Sequence, residues 1–222
     1  MIPGLFVIKN FLNTEEQRQL LTCVDGQGEW FYGNNGKQRG VQHLGAAYDY
    51  TTHTVGKDTN GNPIMYDLPD FMNSLCRKIS EHISESDYPT EMKQKHEQQP
   101  HNQAFISEYT KHYGILAHKD STDYGDIITS VSMGDATPFV FEKEGCKPCI
   151  VMLEPGDLLI MTGEARYDYT HMIPYSKIFR WNQEGPIIGQ VKITGEYQKF
   201  KRSKDYRRVS ITMRHTKQAN AL

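Results

Sequence analysis

Long apolar runs and a strong excess of one charge are both missing from this 222-residue sequence. No stretch approaches the roughly 18 consecutive apolar residues of a membrane-spanning helix, so no membrane association is expected. The start, MIPGLFVIKN, has no basic segment before its short apolar run and does not resemble a signal peptide. The formal net charge is −2, so any nucleic-acid contact must come from a local basic patch. We therefore expect a cytoplasmic or nuclear protein.

Cysteine is also scarce, with four in the whole chain, which argues against a disulfide-stapled secreted fold. Cys146 and Cys149 form the motif CKPC, which could be half a zinc site or a redox pair. A Cys₄ zinc site would need a second pair nearby, and a thioredoxin-like pair would open a helix rather than the strand-like CIVML. The pattern favours two reduced thiols beside a hairpin turn.

Two segments of the N-terminal half are typical of helices. In FLNTEEQRQLL (11–21), Asn13 can cap the helix and Glu16 stands three residues on, as in a capping box. The segment LPDFMNSLCRKISEHI (68–83) has one apolar helical stripe, formed by Leu68, Phe71, Leu75, Ile79 and Ile83. We expect loops and edge hairpins at 30–66, and a solvated loop at 84–103.

From residue 104 onwards the sequence consists of short segments rich in β-branched and aromatic residues, separated by turn signals. These segments are AFISEY, DIITSVSM, PFVFE, CIVML, DLLIM, QVKITGEYQKF and RRVSITMRH. Helices followed by many short strands predict a mainly β fold with buttressing helices. We expect a double-stranded β-helix, or jelly roll, of the kind that houses metals in cupins. One domain should span 1–222, with N-terminal helices and a lid in 1–103 and the jelly-roll core in 104–216.

His118 and Asp120 form an H-x-D pair just before a predicted strand, and in extended backbone both side chains point to one face. His171 is the only other histidine between residues 119 and 214. Two histidines and one carboxylate can hold one face of Fe(II) and leave three coordination positions open. Taken alone, the pair could also be a loop histidine beside a turn aspartate, and His171 a buried histidine bonded to a backbone carbonyl.

The segment RRVSITMRH (207–215) contains a face with two arginines and two hydroxyls. If it is a strand, this face carries Arg208, Ser210, Thr212 and Arg214, whereas Val209, Ile211 and Met213 face the opposite way. Arginines that face an interior require an anion, and a dicarboxylate suits the two-point fork of guanidinium. The alternative is an edge strand whose arginines face water.

Together these motifs resemble the AlkB-like Fe(II)/2-oxoglutarate dioxygenases. The resemblance runs from IPGLFVIKNFLNTEEQRQLL through VQHLGAAYDY, FISEYTKHYGILAHKD, IITSVSMGD and LEPGDLLIMTGEARYDYTHMI to RRVSITMR. It implies that His118, Asp120 and His171 hold Fe(II). It also implies that Arg208 binds the far carboxylate of 2-oxoglutarate, with Arg214 beside the same pocket.

The resemblance also places Tyr109 and Ser210 at the co-substrate. The family usually has asparagine at the position of Ser107, and repair members often have it at the position of Ser210. Both serines keep a hydroxyl but offer fewer polar contacts. The implied reaction couples O₂-dependent decarboxylation of 2-oxoglutarate to hydroxylation of a substrate carbon. Where that carbon is bonded to nitrogen, formaldehyde is released.

Within the family, QHLGAAYDYTT and MTGEARYDYTH are most similar to the branch that hydroxylates modified wobble uridine in tRNA. The resemblance thus implies tRNA as the partner and a nucleotide-recognition lid within 1–103. Tyr48 and Tyr50 are the aromatic residues expected to stack on the base. The basic segment KFKRSKDYRR is expected to contact phosphates through Lys199, Lys201, Arg202 and Lys204. The length leaves no room for the RNA-recognition and methyltransferase domains of animal members, so a separate methyltransferase is a candidate partner.

Three other functions stay open from the sequence. The same residues could serve an oxidative demethylase that repairs N-alkylated bases in DNA or RNA. The low net charge is compatible with an oxygenase that acts on a protein. The third is a jelly-roll binding module without catalysis.

Overall fold

The fold contains more strand than helix, and the three longer helices pack against the outer face of one sheet. A computed structural model describes residues 2–28, 30–32, 39–49, 51–52, 54–175, 178–181, 187–188, 193–194 and 197–217. In these ranges the helices are α1 (Thr14–Asp25), α2 (Asp70–Glu85), α3 (Thr90–Gln98) and α4 (Gly163–Tyr167). None of them is both long enough and apolar enough to cross a membrane.

The strands alternate between two main sheets as the chain proceeds. In chain order they are β1 (Leu5–Ile8), β2 (Phe31–Tyr32), β3 (Gly40–Leu44), β4 (Tyr48–Asp49), β5 (Thr54–Val55), β6 (Gln103–Thr110), β7 (Ile115–His118), β8 (Ile128–Gly134), β9 (Thr137–Glu142), β10 (Cys149–Leu153), β11 (Leu158–Met161), β12 (Thr170–Ile173), β13 (Ile178–Trp181), β14 (Ile187–Ile188), β15 (Ile193–Thr194), β16 (Tyr197–Lys201) and β17 (Arg207–Arg214).

The larger sheet has the order β1-β11-β8-β17-β6-β3-β2, and the smaller has the order β14-β10-β9-β12-β7. Neighbouring strands are antiparallel except β10 and β14. This arrangement confirms the predicted mainly β, jelly-roll fold. Strands from both sides of residue 103 share the larger sheet, because β1, β2 and β3 add to β6, β8, β11 and β17.

The period-two alternation of the strands separates two apolar layers. Inward residues such as Leu159 and Met161 of β11 pack with Phe141 and Val151 of the smaller sheet. Outward residues of the larger sheet pack under the helices, as Val209, Ile211 and Met213 do on β17. The other face of β17 is therefore left for polar groups that face the interior.

The predicted helix signals are confirmed, and one loop prediction is wrong. Asn13 accepts from the backbone N–H of Glu16, and the Glu16 carboxylate accepts from the N–H of Asn13, which forms the capping box of α1. Helix α2 buries Met72, Leu75, Ile79 and Ile83. The stretch 84–103 is not a simple loop, since α3 lies within it. Its two buried residues, Met92 and His96, give too sparse an apolar pattern to reveal a helix.

Candidate active site

A cavity of about 630 Å³ opens between the two sheets. Both sheets contribute to its wall, and the short hairpin β4–β5 brings Tyr48 to it. The cavity brings together most of the residues that the sequence had marked, namely Tyr48, Tyr109, His118, Asp120, His171, Arg208, Ser210 and Arg214. Distant segments of the chain thus converge on one concave site.

Two neighbouring strands position the candidate metal ligands. His171 on β12 lies directly opposite His118 on β7, and Asp120 follows β7 by two residues. One ligand atom from each of the three lies within 4.8 Å of the other two. The Nε2 of His171 is 3.5 Å from the Asp120 carboxylate. Two imidazoles and one carboxylate at this separation suit Fe(II) and leave coordination positions for other groups.

The protonation states favour metal binding. His118 donates from Nδ1 to the backbone carbonyl of Leu116 at 2.8 Å, which leaves Nε2 for a metal. Burial lowers the pKa of His171 to about 4, so its imidazole is neutral at neutral pH. Burial opposes ionisation of Asp120, but His171, Arg214 and Arg166 together lower the pKa of its carboxyl. Phe139 stacks on His171 with ring centroids 5.4 Å apart and holds the ring in place.

Arg208 lines the cavity and is buried, with 1% of its surface exposed. Its Nη2 donates to the Ser132 hydroxyl at 2.9 Å, and its guanidinium lies 5.3 Å from the Tyr109 ring centre. Its Nε and Nη1 have no hydrogen-bond partner among the described residues. A buried guanidinium with two unused donors suits the carboxylate of a small acid. The residues present thus fit both Fe(II) and 2-oxoglutarate.

Arg214 already has an anionic partner. Its Nη1 lies 3.3 Å from the Asp120 carboxylate, and its Nε donates to Gln103 at 2.8 Å. Its guanidinium stacks on Tyr124 at 3.7 Å from the ring centre. This residue therefore holds a metal-ligating carboxylate in place rather than presenting a free fork to a ligand.

Ser107 and Ser210, which stand where the similar family has asparagine, lie side by side. Ser210 on β17 is directly opposite Ser107 on β6 and Ser132 on β8. All three are buried. Small side chains in this row leave cavity space beside Arg208.

The sequence alone did not indicate three residues that line or support the site. Arg39 and His43 line the cavity on the side of β3, where His43 stacks on Tyr48 with ring centroids 4.4 Å apart. Arg166 is buried behind the metal ligands and donates to the backbone carbonyl of Asp120 at 2.9 Å. Arg39 and Arg166 had no motif of their own. The alternation of Val41 and His43 on one strand face could have revealed His43.

The residues predicted to contact RNA are placed differently from one another. Tyr48 lines the cavity, whereas Tyr50 and the side chain of Lys199 lie outside the described part of the structure. Lys201 and Lys204 are exposed. Arg202 is 2% exposed and donates to the backbone carbonyls of Tyr113 at 2.6 Å and Pro174 at 2.7 Å. The prediction that Arg202 contacts phosphate is wrong, because its guanidinium joins two loops inside the protein.

The CKPC motif lies at the turn between β9 and β10. Cys146 is exposed, Cys149 is buried, and both are free thiols. The predicted hairpin turn is confirmed, since β9 and β10 pair antiparallel on either side of it. The metal-ligating cluster found in the described residues is the His118–Asp120–His171 set and does not include them.

Known proteins resemble this chain along nearly its whole length. The sequence profile of the 2OG-Fe(II) oxygenase superfamily matches residues 4–214. The mouse protein named tRNA (carboxymethyluridine(34)-5-O)-methyltransferase ALKBH8 is 30% identical over 216 residues, which is 96% of this chain and 30% of that protein. An Arabidopsis thaliana protein named Alkylated DNA repair protein ALKBH8 homolog is 29% identical, over 80% of this chain and 52% of its own.

The fold has solved counterparts. The structure described as OsALKBH1 superposes with a TM-score of 0.59 at 17% identity, covering 97% of this chain and 99% of the other. The chain spans about three tenths of the length of the mouse relative. The profile match, together with the metal-ligand set at the cavity, shows that the chain belongs to the 2OG-Fe(II) oxygenase superfamily, as a dioxygenase that uses Fe(II), 2-oxoglutarate and O₂.

Proposed function

We propose that this dioxygenase hydroxylates the side chain of a modified wobble uridine in tRNA. The observation that carries the proposal is the alignment of 96% of the chain with a protein named for carboxymethyluridine at tRNA position 34. The cavity supports it, because about 630 Å³ lies within the range of roughly 300–1,000 Å³ that holds small ligands. A single-stranded anticodon loop also lets its bases leave the stack at low cost.

Each cavity residue has a defined part in this proposal. His118, Asp120 and His171 hold Fe(II), and Arg208 binds the far carboxylate of 2-oxoglutarate, flanked by Tyr109 and Ser210. Arg214 keeps Asp120 oriented through their 3.3 Å contact. Fe(II) and 2-oxoglutarate supply, when bound, the O₂-dependent chemistry that places one oxygen atom on a substrate carbon and the other in succinate. Phe139 and Phe141 pack beside His171 and keep its ring oriented.

Tyr48 and the basic surface serve substrate binding. Tyr48 lines the cavity and its ring stacks on His43, so an aromatic side chain stands where an extruded base would bind. Lys201 and Lys204 are exposed and can contact phosphates outside the cavity. A separate methyltransferase that acts on the same nucleoside would be a partner in the pathway of modification.

The test is mass spectrometry of nucleosides from an anticodon stem-loop with a modified wobble uridine, incubated with Fe(II), 2-oxoglutarate and ascorbate. The expected product gains one oxygen atom, and no formaldehyde is released. Asp120→Ala serves as the inactive control. Absence of that product, with 2-oxoglutarate still consumed, would contradict the proposal.

A second function is oxidative demethylation of N-alkylated bases. The observation that favours it is the Arabidopsis relative, whose name refers to repair of alkylated DNA. The same metal and co-substrate residues would serve this reaction. Formaldehyde release from N-methylated oligonucleotides, without any product on the stem-loop, would favour it over wobble-uridine hydroxylation.

A further inference from the structure

Arg39 is a cation of the cavity that pairs with no carboxylate among the described residues. The side chain is half-buried at the end of the segment that leads into β3, and it lines the cavity. Its Nε lies 3.4 Å from the Ser107 hydroxyl, and its guanidinium is 5.6 Å from the centre of the Phe105 ring. Across the described residues, no acidic side chain lies within 4 Å of it. Its two terminal nitrogens are thus left for a ligand.

The negative charges of the cavity are balanced without the positive charge of Arg39. Arg214 is paired with Asp120, the one carboxylate among the described cavity residues. In the proposed function, Arg208 is paired with 2-oxoglutarate. Fe(II), Asp120 and doubly charged 2-oxoglutarate together carry one negative charge, which Arg208 and Arg214 already exceed. Arg39, on the β3 side of the cavity, therefore adds a positive charge that neither Asp120 nor 2-oxoglutarate balances.

The pKa of the neighbouring His43 imidazole also reflects the positive charge at this wall of the cavity. Burial, with the charges of Arg214 and Arg39, lowers the pKa of His43 to about 4. His43 stacks on Tyr48 and is neutral, so it has no positive charge that could pair with an acid. Arg39 is consequently the cation at this wall that can pair with a substrate anion.

A base substituent fits this cation better than a backbone phosphate does. Arg39 contacts Ser107, which is 1% exposed and lies next to Ser210 in the cavity floor. An extruded nucleotide enters with its base first, and its flanking phosphates stay with the RNA backbone outside. Lys119 also lines the cavity but is exposed, so it is better placed for those phosphates.

We propose that Arg39 is a specificity-determining residue that binds a carboxylate on the modified base through a two-point fork, so that the preferred substrate carries an acidic side chain. This inference rests on the proposed function and names the form of the uridine that enters the site. A carboxymethyl group provides this carboxylate, whereas its methyl ester does not. The guanidinium fork gives bidentate carboxylate binding a geometry that lysine cannot reproduce.

The experiment compares two stem-loops of identical sequence, one with 5-carboxymethyluridine and one with its methyl ester. Hydroxylation rates are measured by mass spectrometry. Dissociation constants are measured without O₂ in the presence of Fe(II) and 2-oxoglutarate. The wild-type protein should favour the acid, and Arg39→Gln should weaken binding and kcat/KM for the acid by about ten- to a hundredfold. The same variant should change the values for the ester by no more than about threefold.

Two further variants separate the fork from charge alone. Arg39→Lys keeps the charge and should recover only part of the preference for the acid. Lys147→Gln removes a positive charge at the exposed β9–β10 turn, away from the cavity, and should leave the preference unchanged. Circular dichroism and thermal melting establish that each variant is folded.

The contrary outcomes are distinct. If Arg39→Gln weakens acid and ester equally, Arg39 contacts phosphate and the inference is wrong while the proposed function stands. If the wild-type protein hydroxylates both without preference, or favours the ester, the inference is also wrong. If it binds and hydroxylates neither but still consumes 2-oxoglutarate, the proposed function has failed and the inference fails with it.

Discussion

Arg166 holds the backbone of the loop that carries the metal ligand Asp120. Its Nη1 donates to the carbonyl of Asp120 at 2.9 Å, and its Nη2 donates to the carbonyl of Ser121 at 2.6 Å. Arg166 lies on α4, just before the strand that presents His171. The buried guanidinium thus couples the chain segments that carry two of the metal ligands. Groups in this position orient ligands and tune metal affinity.

Replacing Arg166 should weaken metal binding more than it affects the co-substrate. Arg166→Met removes both hydrogen bonds and should reduce Fe(II) or Mn(II) affinity by about ten- to a hundredfold, measured by titration without O₂. Arg166→Lys can restore one bond and should recover part of the loss. At saturating metal, the KM for 2-oxoglutarate should stay near the wild-type value. A loss of stability with unchanged metal affinity would make the role of Arg166 purely structural.

Asp120→Ala should abolish turnover. The change removes one metal ligand and leaves Arg214 buried without its anionic partner. Succinate formation should fall to background, and metal affinity should fall with it. Asp123→Ala is the matched control, because Asp123 is in the same loop but does not line the cavity. Turnover by Asp120→Ala at the wild-type rate would contradict the ligand assignment.

Arg208→Lys should raise the KM for 2-oxoglutarate. Lysine keeps the charge but loses the two-point fork, and we expect a rise of roughly ten- to a hundredfold. Arg207→Lys is the control on the same strand, since Arg207 points away from the cavity and bonds Glu108 and Asp25. That variant should keep the wild-type KM. Equal KM values for Arg208→Lys and the wild type would mean that another residue binds the carboxylate.

The cavity residues of β17 could be predicted because they are close together in the sequence. Two residues that are two apart on one strand stay on one face, so Arg208, Ser210 and Arg214 were grouped correctly on the cavity side of β17. The two layers of β17 and β11 follow from the same alternation. The capping box of α1 is equally local.

Long-range contacts could not be predicted in this way. Arg166 and Asp120 are 46 residues apart, and Arg202 reaches Tyr113 across 89 residues. Neither pairing leaves a periodic pattern in the sequence. Arg202 shows the consequence, because a run of basic residues suggests a surface even when one member is buried on backbone carbonyls. Charge composition predicts a surface only on average.

His101 should make the protein less stable as the pH falls below 6.5. Burial, with the nearby His96, lowers the pKa of His101 from 6.5 to about 3 in the folded state. Between these values the unfolded chain binds a proton that the folded protein does not, so its stability is complete above pH 6.5 and is lost towards pH 3. The expected slope is about 1.4 kcal/mol per pH unit from this group.

The measurement is urea unfolding of the metal-free protein between pH 7.5 and 5.5. This range extends about one unit on either side of the pKa of histidine in an unfolded chain. His101→Gln should flatten the slope by about one proton's contribution. The same change at His112, which is exposed, should not. An unaltered slope in His101→Gln would contradict this account.

The exposed and buried members of the basic segment should behave in opposite ways. Lys201 and Lys204 are exposed, so their replacement by alanine should weaken RNA binding and leave stability unchanged. Each lysine that no longer binds a phosphate should reduce the slope of log Kd against log salt by about 0.7 on single strands. Decarboxylation of 2-oxoglutarate without RNA should persist, because neither lysine lines the cavity.

Arg202→Ala should instead destabilise the fold. Its removal leaves the carbonyls of Tyr113 and Pro174 without their donor, at a cost of about 1–3 kcal/mol. The salt dependence of RNA binding by the folded fraction should match the wild type. Fluorescence anisotropy at several salt concentrations, together with thermal melting, separates the two effects. If Arg202→Ala flattened the salt dependence as the lysine variants do, its guanidinium would have to reach the RNA. That result would contradict the buried position that joins the two loops.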